Sequence, residues 1–168
     1  MRVITFSRQF PANHPKKGQP TFFVEKIWKS LYSQDLFYNM SSYEGAYNEK
    51  FPCKFTPEEN IHNYKPKNHT IRVGNRWKEG QQFSPRVWSG KPYQSKQITF
   101  APDIEIKKIW KFECKEDGTF YLNNIWIDFT SSSIPTNDGL TPDELLDWFP
   151  KNKPFIGQVI CWNESINY

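Results

Sequence analysis

The sequence predicts a small α+β domain, in which a strongly bent mixed sheet or small barrel carries an N-terminal helix and a short C-terminal helix. Short segments of alternating apolar and polar residues, typical of strands, recur along the chain. Two other segments have the composition and capping residues of helices. Of the 168 residues, 29 are Phe, Tyr or Trp, so a few large rings can supply the core. This length fits a single domain spanning residues 1–168.

The N-terminal part begins with a strand and a helix. Residues 2–8 alternate between apolar and polar side chains, as in a short strand. Thr21 is expected to cap an amphipathic helix that contains Phe22, Val24, Ile27, Trp28 and Leu31. Residues 33–66 are rich in Ser, Tyr, Asn, Lys and Pro and show no sustained period. We expect them to form a long loop across the surface.

The rest of the chain is mostly strand. Strands are expected at 70–73, 82–88, 97–100 and 105–113, and then, after a hairpin turn at 115–118, from Thr119 to Phe129. Thr141, Pro142 and the two acidic residues that follow predict a capped helix start, with Pro150 ending the helix. Residues 154–162 form the expected last strand.

Positive charge is concentrated in the centre of the chain. Residues 65–96 contain eight Lys or Arg residues and one acidic residue, Glu79, although the net charge of the whole chain is only +4. Such a segment produces a local positive potential that attracts phosphates, or it is simply a solvated face. We take it to indicate a site for a nucleic acid or nucleotide.

The cysteines and the N-terminus exclude several classes of protein. The chain has an odd number of cysteines, and all three are widely spaced: Cys53, Cys114 and Cys161. Neither a disulfide framework nor a zinc site is therefore predicted, and no cofactor is expected. Cys114 and Cys161 are expected to be reduced core residues. No segment resembles a signal peptide or a membrane span, so a cytoplasmic protein is expected.

The candidate site begins at Lys67. On a strand of alternating side chains, Thr70 and Arg72 share a face, and beside Lys67 they could converge on one anion. Alternatively, Arg72 pairs with a carboxylate and Thr70 merely suits a strand. His69 is expected to point away from the face of Thr70 and is not favoured as a base.

Aromatic residues interleave with the cations of this segment. Rings that stack on unpaired bases, beside cations that bind phosphates, suit single-stranded nucleic acid or a flipped-out base, whereas core packing is the alternative for each tryptophan. The residues expected to bind nucleic acid are Lys65, Lys67, Arg72, Arg76, Trp77, Lys78, Arg86, Trp88, Lys91 and Tyr93.

Several short motifs, taken in order, resemble the ASCH family of PUA-like β-barrels. They are Lys67-x-x-Thr70-Ile71-Arg72, Arg76-Trp77-x-x-Gly80, the sequence WSGKPY at 88–93, Asp138-Gly139-Leu140 and the sequence GQVICW at 157–162. The similarity covers most of residues 60–163. It implies a barrel whose cleft, floored by the first motif, binds RNA or modified nucleosides.

The resemblance also implies a possible enzyme. Some small members are acetylcytidine amidohydrolases that use a Lys, a Thr and a Glu, and the first two match Lys67 and Thr70. The third falls at or beside Asp138, which is one methylene shorter than Glu. A shift of about 1 Å can cost on the order of a hundredfold in rate. Asp138 is alternatively a turn residue, and a third alternative for the chain is a protein-interaction module with a basic face.

Overall fold

The computed structural model describes residues 2–36, 39–51, 64–151 and 153–168. These residues form an α+β protein with nine strands and four helices, which confirms the predicted class. The strands are β1 (Arg2–Thr5), β2 (His69–Val73), β3 (Gln82–Trp88), β4 (Gln97–Thr99), β5 (Ile104–Glu105), β6 (Lys108–Cys114), β7 (Phe120–Leu122), β8 (Ile125–Ile127) and β9 (Phe155–Cys161). The helices are α1 (Phe23–Tyr32), α2 (Met40–Lys50), α3 (Ile134–Asn137) and α4 (Pro142–Leu146).

The chain divides into two compact units. The first contains Met1–Tyr64 and Gln82–Glu105, and the second contains Lys65–Gln81 and Ile106–Tyr168. In the first unit β3 is central, with β1 parallel on one side and β4 and β5 antiparallel on the other. The apolar side of α1 packs into this unit, and the indole Nε1 of Trp28 donates a 2.8 Å hydrogen bond to the carbonyl of Phe100.

The second unit is built on an antiparallel sheet with the order β2-β9-β6-β7-β8. Side chains alternate between its two faces. One face carries a cluster of phenylalanine rings from the sheet and from the segment between β8 and β9: Phe112, Phe120, Phe129, Phe149 and Phe155. The opposite face carries Thr70, Arg72, Glu113, Tyr121, Trp126 and Gln158, as the strand registers require, and at its β2–β9 end Thr70, Gln158 and Ile160 are buried.

Local signals placed several elements correctly. Thr141 caps α4 through a capping box, in which its hydroxyl accepts from the Glu144 N–H and the Glu144 carboxylate accepts from the Thr141 N–H. The helix ends at Leu146, well before Pro150. The turn at 115–118 joins β6 to β7 as expected, with Gly118 at φ +80°. Cys114 and Cys161 are free and buried, also as expected; Cys53 lies outside the described residues.

Two expectations for the N-terminal part are wrong. Residues 33–66 do not form one loop, because 40–50 is the helix α2. This helix was missed because it lacks an amphipathic pattern, although it buries Met40 and Tyr47. Residues 52–63 of the expected loop lie outside the described residues. The N-cap of α1 is Phe22, at φ +56°, one residue after the expected Thr21, whose hydroxyl donates to the carbonyl of Ser7 and accepts a 3.4 Å hydrogen bond from the Phe23 N–H.

The long strands expected near the centre are divided. Residues 105–113 contain the end of β5 and most of β6, and the segment from Thr119 to Phe129 contains the hairpin β7–β8. Asn123 and Asn124 form its turn, both with positive φ, as a two-residue hairpin turn requires. The helix α3, which was not predicted, ends just before Asp138.

Candidate functional site

A buried ion pair lies in the second unit. The Nζ of Lys67 is 2.8 Å from Oδ2 of Asp138, and it donates a 2.7 Å hydrogen bond to the backbone carbonyl of the same residue. The two side chains are 1% and 7% exposed. Charges are tolerated at such depth when they are paired and hydrogen-bonded. The structure therefore brings together two of the three residues that were predicted to be catalytic.

Asparagine side chains position this ion pair. Asn68 donates from its backbone N–H to the Asn137 carbonyl, at 2.7 Å, and from its side-chain amide to Oδ1 of Asn137, at 3.0 Å. Asn163 in turn donates to Oδ1 of Asn68, at 3.1 Å. Gly139, at φ +77°, lets the chain turn sharply after Asp138. These contacts join the start of β2 to the end of α3.

His69 and Tyr168 extend the cluster. His69 is fully buried, and its Nε2 lies 3.6 Å from Oδ1 of Asp138. Its Nδ1 lies 2.7 Å from the hydroxyl of Tyr168. The Tyr168 ring also meets Trp110 edge-on, with ring centroids 4.9 Å apart. The order of polar groups is therefore Tyr168, His69, Asp138 and Lys67.

The surroundings of His69 indicate its protonation. Its Nε2 faces a carboxylate oxygen and has no hydrogen-bond partner among the described residues. A hydrogen on Nε2 directs positive charge towards that oxygen, whereas a lone pair on Nε2 would meet negative charge. We therefore place the hydrogen of the neutral imidazole on Nε2, so that Nδ1 accepts a hydrogen bond from the Tyr168 hydroxyl. Burial and then the charge of Lys67 lower the pKa of His69 well below 6.5. Burial also raises the pKa of Tyr168, so both groups are neutral near pH 7.

Thr70 lies on the other side of the sheet. His69 pairs with Cys161 and Thr70 with Ile160, so their side chains project from opposite faces, as expected from the alternation. Thr70 and Arg72 share the face opposite to that of His69, where Arg72 pairs with Gln158. Within the part of the chain that the structure describes, no hydrogen bond or ion pair joins Thr70 to Lys67 or Asp138. The three residues predicted to be catalytic are not assembled in this conformation.

The loop after β2 contains further predicted residues. The Gln158 side chain holds the backbone of Trp77 from both sides, accepting from its N–H at 3.1 Å and donating to its carbonyl at 3.0 Å. The Trp77 ring is 3% exposed, whereas stacking on a base requires an exposed ring face. Arg76 and Lys78 of this loop are exposed, as is Lys65, which precedes β2. This loop therefore presents cations to solvent and keeps its tryptophan inside.

Four predicted residues come together in the first unit. Arg86 and Trp88 project from one face of β3, where the Arg86 guanidinium donates to Ser84 and Gln97, at 3.1 and 3.3 Å. In the following loop, Tyr93 is 88% exposed and its ring centroid lies 5.3 Å from that of Trp88. Lys91 in the same loop is exposed. Rings and cations are thus adjacent on this surface.

Sequence reasoning missed Tyr168 and set aside His69. A signal for His69 was present, since Lys67 and His69 are two residues apart and side chains at that spacing share one side of an extended chain. Tyr168 had no such signal, because 99 residues separate it from His69. Chemically, the cluster places the neutral His69 beside the Asp138 carboxylate, with 3.6 Å between Nε2 and Oδ1, while the Tyr168 hydroxyl at Nδ1 holds the orientation of the imidazole ring.

No described helix has the length and apolar character needed to span a membrane. Across residues 2–36, 39–51, 64–151 and 153–168, no group of three or more His, Cys, Asp or Glu side chains is arranged to hold a metal ion. Comparison with known proteins found no matching family model, no similar curated protein and no similar solved structure.

Proposed function

We propose that the chain binds single-stranded RNA or a modified nucleotide, with bases stacking on the exposed Tyr93 and the half-buried Trp88 and with exposed cations of residues 65–96 binding phosphates. The observation that carries this proposal is the pair formed by Trp88 and Tyr93. Their rings lie 5.3 Å apart with 50° between their planes, and Tyr93 is 88% exposed. An unpaired base gains about 1–3 kcal/mol by stacking on such a ring.

The distribution of positive charge supports the same function. Lys91 lies within the loop that carries Tyr93, and Lys65, Arg76 and Lys78 are exposed in the second unit. Exposed cations bind phosphates without reading sequence. We therefore expect weak sequence preference, with bases held by stacking. The PUA-like barrel that the resemblance implies belongs to this proposal.

Fluorescence anisotropy tests the proposal. A labelled single-stranded RNA of about twelve nucleotides should bind more tightly than its duplex, because a duplex hides its base faces. Replacing Tyr93 or Trp88 by Ala should weaken binding of the single strand about 5- to 150-fold, the range that corresponds to one lost stack.

The matched control is Trp126→Ala. Trp126 is also an exposed tryptophan, at 60%, but it lies on β8 outside the proposed surface. Its loss should leave RNA affinity unchanged. The proposal fails if the single strand does not bind, or if Trp126→Ala weakens binding as much as Tyr93→Ala does. If the chain binds an acidic protein and not RNA, the result would favour the alternative of a protein-interaction module with a basic face.

A second candidate is hydrolysis of an acyl group from a modified cytidine. One observation favours it, namely the meeting of Lys67 and Asp138 at 2.8 Å, with His69 beside them. Thr70 would have to join them through a rearrangement of β2. Acetate release from acetylcytidine tests this activity, and Thr70→Val removes the hydroxyl while keeping the β-branched shape. Turnover by the wild type that persists in Thr70→Val would exclude Thr70 as nucleophile.

A further inference from the structure

A cavity of about 380 Å³ lies in the first unit, at the start of α1. Its volume falls in the range of small-molecule sites, roughly 300–1,000 Å³. Its polar lining consists of Arg8, Glu25 and Lys50, together with Tyr47. Phenylalanine rings form much of the remaining wall. An apolar cavity with a few convergent polar groups is the usual form of a ligand site.

Arg8 has hydrogen-bonding capacity that the described protein does not use. Its guanidinium carbon lies 3.3 Å from the ring centroid of Phe51, so the two groups stack closely. The Nε of Arg8 is buried and has no hydrogen-bond partner among the described residues. Such donors are rare in folded proteins and indicate that an acceptor is missing. Because Arg8 lines the cavity, a ligand there is placed to supply this acceptor.

The charges around the cavity favour an anion. Arg8 and Lys50 outweigh the one carboxylate, Glu25. Burial raises the pKa of Glu25, although a backbone hydrogen bond, the charges of Arg8 and Lys26 and a hydrogen bond from Tyr47 act in the opposite direction. The first turn of α1 also lines the cavity, and the N-terminus of a helix carries positive partial charge.

The aromatic wall favours a planar group. Phe22 has φ +56°, an uncommon conformation for a bulky residue, and residues held in this way cluster at ligand sites. Its ring is 37% exposed and stacks on Tyr64, with centroids 4.8 Å apart and 24° between the planes. Phe22, Phe23 and Phe51 all border the cavity.

We propose that this cavity binds a planar aromatic ring that carries an anionic group, either a phosphate or a carboxylate. Arg8 and Lys50 bind the anion, and the phenylalanine rings contact the planar part. This site uses none of the residues proposed to bind RNA.

Calorimetric titration of the whole chain tests the proposal. Adenosine monophosphate represents a ring with a phosphate, and 4-hydroxybenzoate a ring with a carboxylate. Adenosine and inorganic phosphate each supply one half of the required chemistry. At least one of the first two should bind with a Kd below about 1 mM, and tenfold or more tightly than either half. Whichever of these two compounds binds shows whether the anion is a phosphate or a carboxylate. No binding by either, or equal binding of the halves, overturns the proposal.

Substitutions of cavity residues test whether the ligand binds in the cavity. Arg8→Gln should weaken it about tenfold or more, because a charge-assisted hydrogen bond is lost. Lys17→Gln makes the same change of charge at an exposed position outside the cavity and should have no effect. If Arg8→Gln does not fold, Lys50→Gln decides, since Lys50 is exposed at the cavity and its loss should weaken binding several-fold. Binding unaffected by these cavity variants, or lost in Tyr93→Ala, contradicts the assigned site.

Discussion

Lys67 and Asp138 stand 71 residues apart in the chain, yet the ammonium of one contacts both the carboxylate and the backbone carbonyl of the other, at 2.8 and 2.7 Å. The pair joins the segment that leads into β2 to the residue that follows α3. Both side chains are buried, so neither charge has water as an alternative partner. The first two predictions follow from this arrangement.

Loss of one partner of the ion pair should be costly. Lys67→Met leaves the Asp138 carboxylate buried without its cation, and breaking such a pair costs about 3–5 kcal/mol in the free energy of unfolding. Urea unfolding measures the change. Lys151→Met is the control, because Lys151 is 79% exposed and its pair with Asp147 spans 3.4 Å at the surface. The double variant Lys67→Met with Asp138→Leu should regain stability. Equal losses in the buried and exposed single variants would contradict the prediction.

His69 should make the protein sensitive to mild acid. Its pKa in the folded state is well below 6.5, because of burial and the nearby Lys67. Between the folded and unfolded pKa values, the unfolded chain binds more protons, so stability is complete above about pH 6.5 and falls as the pH is lowered. The slope should approach but not exceed about 1.4 kcal/mol per pH unit.

Denaturation at several pH values between about 5 and 7.5 tests this expectation. Asp138 and Tyr168 also face His69, and the Asp138 carboxylate is ion-paired with Lys67. His69→Gln should flatten the profile, whatever its overall stability. His14→Gln should retain the loss in acid, since His69 is still present. A wild-type stability that is constant over this range would refute the prediction.

Gly157 should not tolerate a side chain. It lies on β9 between Val73 of β2 and Phe112 of β6, and a Cβ there would overlap the backbone carbonyl of Arg72. Gly157→Ala must displace β2 and should cost about 1–3 kcal/mol, as overpacking does. The control is Gly45→Ala in α2, where a Cβ meets nothing within 4 Å and should stabilise the helix. Thermal unfolding of both variants gives the comparison, and equal melting temperatures would contradict it.

If the chain binds single-stranded RNA, affinity should fall steeply between about 50 and 200 mM salt, because bound cations release counterions from the phosphates. Replacing both Arg76 and Lys78 by Ala should weaken all sequences about equally, since both residues are exposed cations. The slope of log K against log salt should also decrease by about 1.4, which is roughly 0.7 for each lost contact with a single strand. An unchanged slope would show that these residues do not contact phosphate.

Elements defined by near neighbours were predictable. The capping box of α4 and the turn at 115–118 depend on residues three or four positions apart, and these signals act whatever surrounds them. The α+β class followed from strand alternation in the same way. The helix α2 could not be predicted in this manner, because its sequence has no amphipathic pattern and packing of Met40 and Tyr47 stabilises it.

The candidate site shows the same division. The sequence by itself determined which residues carry charge and rings, and it singled out Lys67 and Asp138. Only the tertiary structure decided that they meet, that His69 and Tyr168 join them, that Thr70 faces the other side and that Trp77 is buried. The physical reason is that these contacts depend on the register of β2 against β9 and on the path of the chain around α3. Both are set by packing across many residues rather than by local preference.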